Sequence, residues 1–547
     1  MKTQLTIITA CLFLISCINK KKVDLIIHNA HIVTVNSIDQ EFEAMVIDKG
    51  KIIDIGKENQ ILNKYTATKQ LDYKSAFIYP GFIDAHCHFL SYGLSLEEVD
   101  LTGSKSMNEI IERCSNYNKE NKNTMIKGLG WDQNIWEKSE FPNKDLLDHH
   151  FPDIPVILSR VDGHAILVNQ KTLDICGINS NSKVNGGHIE LIDGKLTGIL
   201  TDNAMDLVFN NIPEPKNNIK KKALLNAQNK CFQLGLTTVD IAGLSKNDVL
   251  LIDQLQQSGE LKMNIYAMLS DTKENYEYFI DSLQKPYKTE KLNVRSFKFY
   301  SDGALGSRGA CLLNPYLDVN DSTYYGMMLN SVEHFKQSAN KLHLHGYQMC
   351  THCIGDSAAR TILNIYGDVL KGVNDLRWRI EHAQVISPKD YHLFKKYAII
   401  PSVQPTHATS DMLWAILRLG NKRIKNSYAY KELLKQNGMI ALGTDFPIEQ
   451  INPIHTFYAA VARKNLNGEP KNGFQKENAL TRWEALQGMT IWAAISNFEE
   501  NEKGTIEIGK KADFVILNQD IMTIPENEIL NTKVISTYIN GEQVYKN

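Results

Sequence analysis

Polar and apolar positions are patterned alike at the two ends of the chain and differently in the middle. Asp24-Leu25-Ile26-Ile27-His28, His31-Ile32-Val33-Thr34-Val35, Ala44-Met45-Val46-Ile47 and Lys51-Ile52-Ile53-Asp54-Ile55 have the length and β-branched content of strands. Asp48-Lys49-Gly50, between the last two, reads as a hairpin turn. The pattern returns in Thr505-Ile506-Glu507-Ile508-Gly509, in Ala512-Asp513-Phe514-Val515-Ile516-Leu517 and in Val534-Ile535-Ser536-Thr537-Tyr538-Ile539-Asn540-Gly541. Two β-rich ends predict one small β-sandwich built from both termini, over residues 23–79 and 503–547.

In between, short apolar runs alternate with helical stretches, the βα signature of a parallel sheet. Eight runs qualify as barrel strands: 77–83, 236–241, 263–269, 294–300, 347–352, 377–382, 399–403 and 439–445. Eight is the number a (β/α)8, TIM-type barrel requires. The expected fold class is therefore α/β, with the barrel over 80–502. The long gap after the first run predicts an inserted subdomain at about 128–205.

The extreme N-terminus has a different character. A charged Met1-Lys2 start and an apolar run over 5–15, too short to span a bilayer, outline a secretory signal. The run ends in Leu14-Ile15-Ser16-Cys17, which resembles a bacterial lipobox. Residues 1–17 are thus expected to be a lipoprotein signal peptide, and 18–22, with Lys20-Lys21-Lys22, a polar tether. Acyl chains on Cys17, at ~0.8 kcal/mol per buried CH₂, would anchor the body to a membrane in the cell envelope.

Composition narrows the partners. Of 547 residues, 43% are hydrophobic and 22% charged, which fits a globular chain rather than a disordered or polytopic one. Lys+Arg 60 against Asp+Glu 62 leaves a formal charge of −2, with no basic surplus to hold a nucleic acid. Nine cysteines are too sparse for a disulfide scaffold, and no pairing is assigned to them.

Candidate chemistry lies at the ends of the predicted strands. His86-Cys87-His88 places two imidazoles two residues apart, on one face if the segment is extended, with Cys87 turned away. His352, His382 and Asp445 end the fifth, sixth and eighth runs, at the face where barrels keep their sites. Imidazole and carboxylate together suit Zn, Mn, Fe or Ni.

Five motifs give the chain a resemblance to the amidohydrolase superfamily, and within it to amidohydrolase family 3, which includes N-substituted formamide deformylases. They are Pro80-Gly81-Phe82-Ile83-Asp84-Ala85-His86-Cys87-His88; Lys298-Phe299-Tyr300-Ser301-Asp302-Gly303-Ala304-Leu305-Gly306-Ser307-Arg308; His352-Cys353-Ile354-Gly355-Asp356; Arg379-Ile380-Glu381-His382-Ala383-Gln384; and Gly443-Thr444-Asp445-Phe446-Pro447. The resemblance implies two divalent metal ions, zinc before Mn, Fe or Ni. His86, His88 and Asp445 would hold the more buried ion, and His352 and His382 the second. Lys298, carboxylated on its amine, would bridge them: the ammonium cannot ligate, whereas its carbamate is a carboxylate on a long stem.

The implied reaction is hydrolysis of a C–N bond in a small-molecule amide, formamide or cyclic amide by a metal-bridging hydroxide. Asp445 would take its proton and pass it to the departing amine. His164, Arg308 and His407 are candidate substrate contacts: His164 as a donor to a carbonyl or oxyanion, Arg308 as an anion contact, and His407 with Gln404 and Asp411 as pocket lining. Cys87, Cys350 and Cys353 read as packing residues. The alternatives are a deacetylase or carbamate hydrolase on the same scaffold, and a non-catalytic metal-binding lipoprotein receptor.

Overall fold

A computed structural model describes residues 20–36, 42–121 and 124–547, so the signal segment and Cys17 lie outside the described residues. Eight strands run parallel and pair in chain order: β1 (Phe82–Cys87), β2 (Leu236–Leu244), β3 (Asn264–Ser270), β4 (Leu292–Tyr300), β5 (Gln348–Cys353), β6 (Arg379–His382), β7 (Ile400–Val403) and β8 (Ala441–Leu442). Helices join them on the outside. Asn217–Gln233 turns Ala223, Leu224, Ala227 and Cys231 inward, and Asp356–Leu370 does the same with Ile362, Leu363 and Tyr366, a spacing of three and four that makes one apolar stripe.

The barrel closes between β8 and β1. Asp445 N–H donates to the His86 carbonyl at 2.8 Å, and His88 N–H to the Phe446 carbonyl at 2.8 Å. The buried Asp84 carboxylate reinforces the seam, accepting Thr444 N–H at 3.0 Å, the Thr444 hydroxyl at 2.7 Å and His86 N–H at 3.2 Å. Gly443 has to lack a side chain here, because a Cβ would stand 2.6 Å from His86 N and 2.9 Å from Asp84 Oδ1.

Within the barrel, Arg379 donates to Asp240 at 3.0 Å and to the carbonyls of Ala85 and Ser496 at 3.2 and 3.0 Å. Such a fully buried cation is tolerable only with a carboxylate partner and most of its hydrogen bonds made, and here the terminal nitrogens make them.

The two ends of the chain meet in one β unit, as the patterning predicts. Its seven strands form a single continuous ladder in which Lys21–Ile32 and Tyr65–Pro80 lie side by side, with Phe514–Leu517, Val534–Ile539 and Glu542–Lys546 beyond. Where the sequence suggests a sandwich, apolar clusters cover both faces of this one sheet. Along Ala44–Asp48, Ala44 and Val46 pack with Ile61, and Met45 and Ile47 pack with Ile52, Phe514 and Tyr538. Thr505-Ile506-Glu507-Ile508-Gly509 is not a strand but backs onto the sheet through Ile506 N–H to Thr34 O at 3.1 Å.

Two boundaries differ from expectation. The apolar run 77–83 belongs to two ladders: Tyr65–Pro80 ends in the terminal sheet, and β1 begins at Phe82. An unbroken apolar run carries no mark of the change of sheet. The insertion is a separate six-stranded sheet, and it starts before residue 128, at Val99–Asp100, continuing to Lys195–Asp202. A two-residue strand has no periodicity to detect. Among the described residues no helix is long and apolar enough to cross a membrane, and the described cysteines are free thiols.

The seam at Gly443 gives a direct test. Gly443→Ala is expected to cost about 1–3 kcal/mol, the range for overpacking a filled site. Chemical denaturation would read this as a lower midpoint, and an unchanged midpoint would contradict the close approach.

Candidate active site

The predicted ligands converge at the C-terminal end of the barrel. His86 lies on β1 and His88 just past it, Lys298 on β4, His352 on β5, His382 at the end of β6 and Asp445 just beyond β8. His382 and Asp445 take φ of 69° and 65°. This left-handed backbone costs a non-glycine residue roughly 1–2 kcal/mol, and strain of that kind is concentrated at functional sites.

Asp445 is the hub. Its Oδ1 stands 3.6 Å from His86 Nε2 and 3.4 Å from His88 Nε2, and its Oδ2 stands 3.3 Å from His407 Nε2 and 3.9 Å from His382 Nδ1. Lys298 Nζ is 3.0 Å from His86 Nε2. Two groups, His86/His88/Asp445 and His382/His407/Asp445, bring their ligand atoms within 4.8 Å of one another. His352 belongs to neither, but its ring centroid is 4.6 Å from that of His382.

The residues fit a divalent cation. Asp445 Oδ1 and His352 Nε2 are buried and lack a hydrogen-bond partner, a costly condition that a bound ion relieves. Burial holds the imidazoles of His86, His352 and His382 below their ordinary range. They therefore keep a free lone pair at neutral pH.

Burial alone would raise Asp445. The His407 hydrogen bond and the close His88, with the nearby His86 and His382, outweigh it and hold the carboxyl well below the carboxylate range. Burial lowers Lys298 against the pull of Glu381 and Asp445, favouring the uncharged amine that can add CO₂.

Orientation comes from behind the ligands. His86 Nδ1–H donates to Glu381 Oε2 at 2.6 Å, which leaves Nε2 for the centre. His382 Nδ1–H donates to Gln404 Oε1 at 2.7 Å in the same manner.

The candidate substrate contacts separate. His164 reaches in from the insertion, with its ring 5.0 Å from that of His352 and its Nδ1 2.8 Å from Asp202 Oδ1. Asp202 is seated against the loop after β4, where a Cβ on Gly303 or Gly309 would come within 2.4 or 2.7 Å of its carboxylate oxygens.

Arg308 is instead turned to Asp318, 2.9 Å away, so its charge already has a partner. Both ring nitrogens of His407 face carboxylates, Asp445 and Glu449, and neither is free for a substrate. Asp302 serves the backbone, accepting N–H from Ile354, Cys311 and Gly355 at 3.1, 2.8 and 2.8 Å.

Cys87 and Cys353 lie in the main core, and Cys350 packs with Ala242, Tyr266 and Met268. The sequence reading gave no role to Glu381, Glu449, Asp202 or Tyr300. For Glu381 a signal was present: Arg379 and Glu381 alternate as charges on a strand that ends in a ligand. Tyr300 shares a face of β4 with Lys298, and its ring centroid is 5.6 Å from that of His352.

Comparison with known proteins agrees with this geometry. A model of the amidohydrolase family matches residues 71–545. The protein LONG AFTER FAR-RED 3 of Arabidopsis thaliana is 31% identical over 543 residues, covering 95% of this chain and 91% of that one. The N-substituted formamide deformylase of Arthrobacter pascens is 24% identical over 554 residues, covering 96% and 98%. A crystal structure of an uncharacterized metal-dependent hydrolase from Pyrococcus horikoshii OT3 superposes with a TM-score of 0.75 at 27% identity, covering 92% of this chain and 99% of that one.

The Glu381 contact predicts that Glu381→Ala weakens binding of a divalent ion by about 10–100-fold, the usual effect of removing a carboxylate that orients a ligand histidine. Metal titration of the folded variant checks this, and wild-type affinity would refute it.

Proposed function

The chain belongs to the amidohydrolase family and is a metal-dependent hydrolase, and from that premise we propose that it cleaves a C–N bond in a small-molecule amide, formamide or cyclic amide. The observation that carries the proposal is the ionised Asp445 carboxylate amid His86, His88, His382 and Lys298. The formamide deformylase of similar sequence supports the choice of bond.

A pair of divalent ions, when bound, lowers the pKa of water toward ~7 and polarises a carbonyl. Within this proposal His86, His88 and Asp445 would hold one ion and His352 and His382 the other. Lys298, as the carbamate its uncharged amine would form with CO₂ on releasing a proton, would supply a further anionic oxygen ligand. Asp445 takes the proton of the attacking water on a carboxylate oxygen and delivers it to the amine nitrogen as the C–N bond breaks, because an unprotonated amine leaves poorly.

His164 donates to the carbonyl oxygen as negative charge builds there. Burial disfavours its cationic form, but the hydrogen bond to Asp202 outweighs this and raises its pKa, so it is well supplied with protons. The lipobox leads us to propose in addition that Cys17 carries lipid and tethers the enzyme to a membrane of the cell envelope.

The test is a screen of N-formyl, N-acyl and cyclic amides with protein loaded with Zn or Mn. One class is expected to release its amine, to stop doing so on chelation and to recover when metal is returned. Asp445→Asn should lower kcat by about 10²–10⁴-fold, the range for a lost general base. Hydrolysis that survives both metal removal and Asp445→Asn would overturn the assignment.

The pH dependence has a definite sign. Protonating Asp445, His86, His352 or His382 removes a lone pair the site needs, and all four are held below their ordinary values. Affinity for a divalent ion should therefore fall only below about pH 6.5, the ordinary histidine value. Metal titration across pH checks this, and affinity already lost at or above pH 7 would contradict the electrostatics.

A further inference from the structure

We propose that His407 and Glu449 form a positioning arm for Asp445, holding Oδ2 by a hydrogen bond so that Oδ1 stays directed at His86 and His88. The inference rests on the metal reading above and assigns to two residues a role in it.

A carboxylate turns easily about its last torsion, which is broad and roughly two-fold. Asp445 Oδ1 has no hydrogen-bond partner among the described residues, so nothing on that side fixes it. On the other side, His407 Nε2–H donates to Oδ2 at 3.3 Å. The ring is fixed in turn at its far nitrogen, where Nδ1 meets Glu449 Oε1 at 3.2 Å. Glu449 is itself held, since the same oxygen accepts the Ser410 hydroxyl at 2.6 Å.

The arm ties together the segments that follow the last two barrel strands. His407 and Ser410 sit on helix Pro405–Asp411 after β7, where His407 N–H donates to the Gln404 carbonyl at 3.1 Å. Asp445 and Glu449 sit in the segment after β8, where Ile448 N–H donates to the Asp445 carbonyl at 2.8 Å.

The geometry separates the two groups of candidate ligands that share Asp445. In the group on Oδ1, no hydrogen bond joins the side chains of His86, His88 and Asp445, and Oδ1 itself is unpartnered among the described residues. The group on Oδ2 is engaged: His407 directs Nε2–H at a carboxylate oxygen and so offers no lone pair there. Ligating carboxylates are commonly fixed by a hydrogen bond at the oxygen turned away from the ion. His407 and Glu449 thus act on the centre through Asp445.

The experiment loads the full chain with Co(II), whose visible absorption reports its ligands. It compares wild type with His407→Gln, His407→Leu, Glu449→Gln and Glu449→Ala, each checked for folding by circular dichroism. All are expected to bind the same number of equivalents at saturation with the same absorption band. His407→Leu and Glu449→Ala should bind about 10–100-fold more weakly. The glutamine variants, which keep an amide donor or acceptor in place, should recover most of that loss.

If both His407 variants lose one equivalent and shift the band, His407 is a ligand and the proposal falls. It falls equally if His407→Leu and Glu449→Ala bind cobalt as tightly as wild type. Should His407→Leu fail to fold, Glu449→Ala, one contact further out, carries the same expectation. A wild-type protein that binds no cobalt would sink the metal reading itself, an outcome distinct from either of these.

Discussion

The contact between Asp84 and Thr444 closes the barrel across 360 residues of chain, and the site exists because of it. Asp445 has to leave the eighth strand beside the first for its Oδ1 to face both His86 and His88. Two backbone hydrogen bonds and the Asp84 carboxylate fix that neighbourhood to within a hydrogen bond's tolerance. The carboxylate is held against its own preference: burial pushes Asp84 up to about 7, opposed by the Thr444 and His86 donors. A polar group in such a place is sustained only because every donor it meets is aimed at it.

The same logic extends through the barrel interior. His86 is held by Glu381, Glu381 lies 4.0 Å from Arg379, and Arg379 is bound to Asp240. Asp240 in turn accepts Asn497 Nδ2–H at 2.6 Å, from the helical region before the terminal sheet. A candidate ligand imidazole is therefore the upper end of a polar column that runs down the barrel. Breaking one partner of a buried pair costs far more than the pair contributes, so the column specifies the position of His86 more than it stabilises the fold.

Much of this could be read from the sequence, and the part that could not has a common cause. His86, His88, His352, His382 and Asp445 were legible because strand ends are local and the site of a parallel barrel is always at the same end. The number of strands was legible because apolar runs of strand length are local too. Features set by tertiary contact were not. Nothing in 77–83 marks where one sheet hands the chain to another, and Val99–Asp100 is a strand only because Gly128 and Leu129 lie beside it. Arg308 looks like an anion contact until Asp318 is seen beside it. Glu449 and Asp202 stand in unpatterned segments, and only the histidines they hold, His407 and His164, give them meaning.

The rim of the barrel bears on what kind of molecule the site reads. Arg160 is paired with Asp132 and Asp162 and hydrogen-bonded to Gln133 at 2.7 Å. Arg418, on helix Ala415–Arg423, joins Asp318 and the Asn134 side chain of the insertion, and Arg308 shares the same Asp318. Each of these three guanidinium groups has a carboxylate partner, and Arg418 links the insertion to the rest of the barrel. The unsatisfied valences lie deeper, at Asp445 Oδ1 and His352 Nε2, which have no hydrogen-bond partner among the described residues. Under the proposed function, that distribution leaves the contacts to the substrate to be made at its scissile carbonyl rather than at an anionic group.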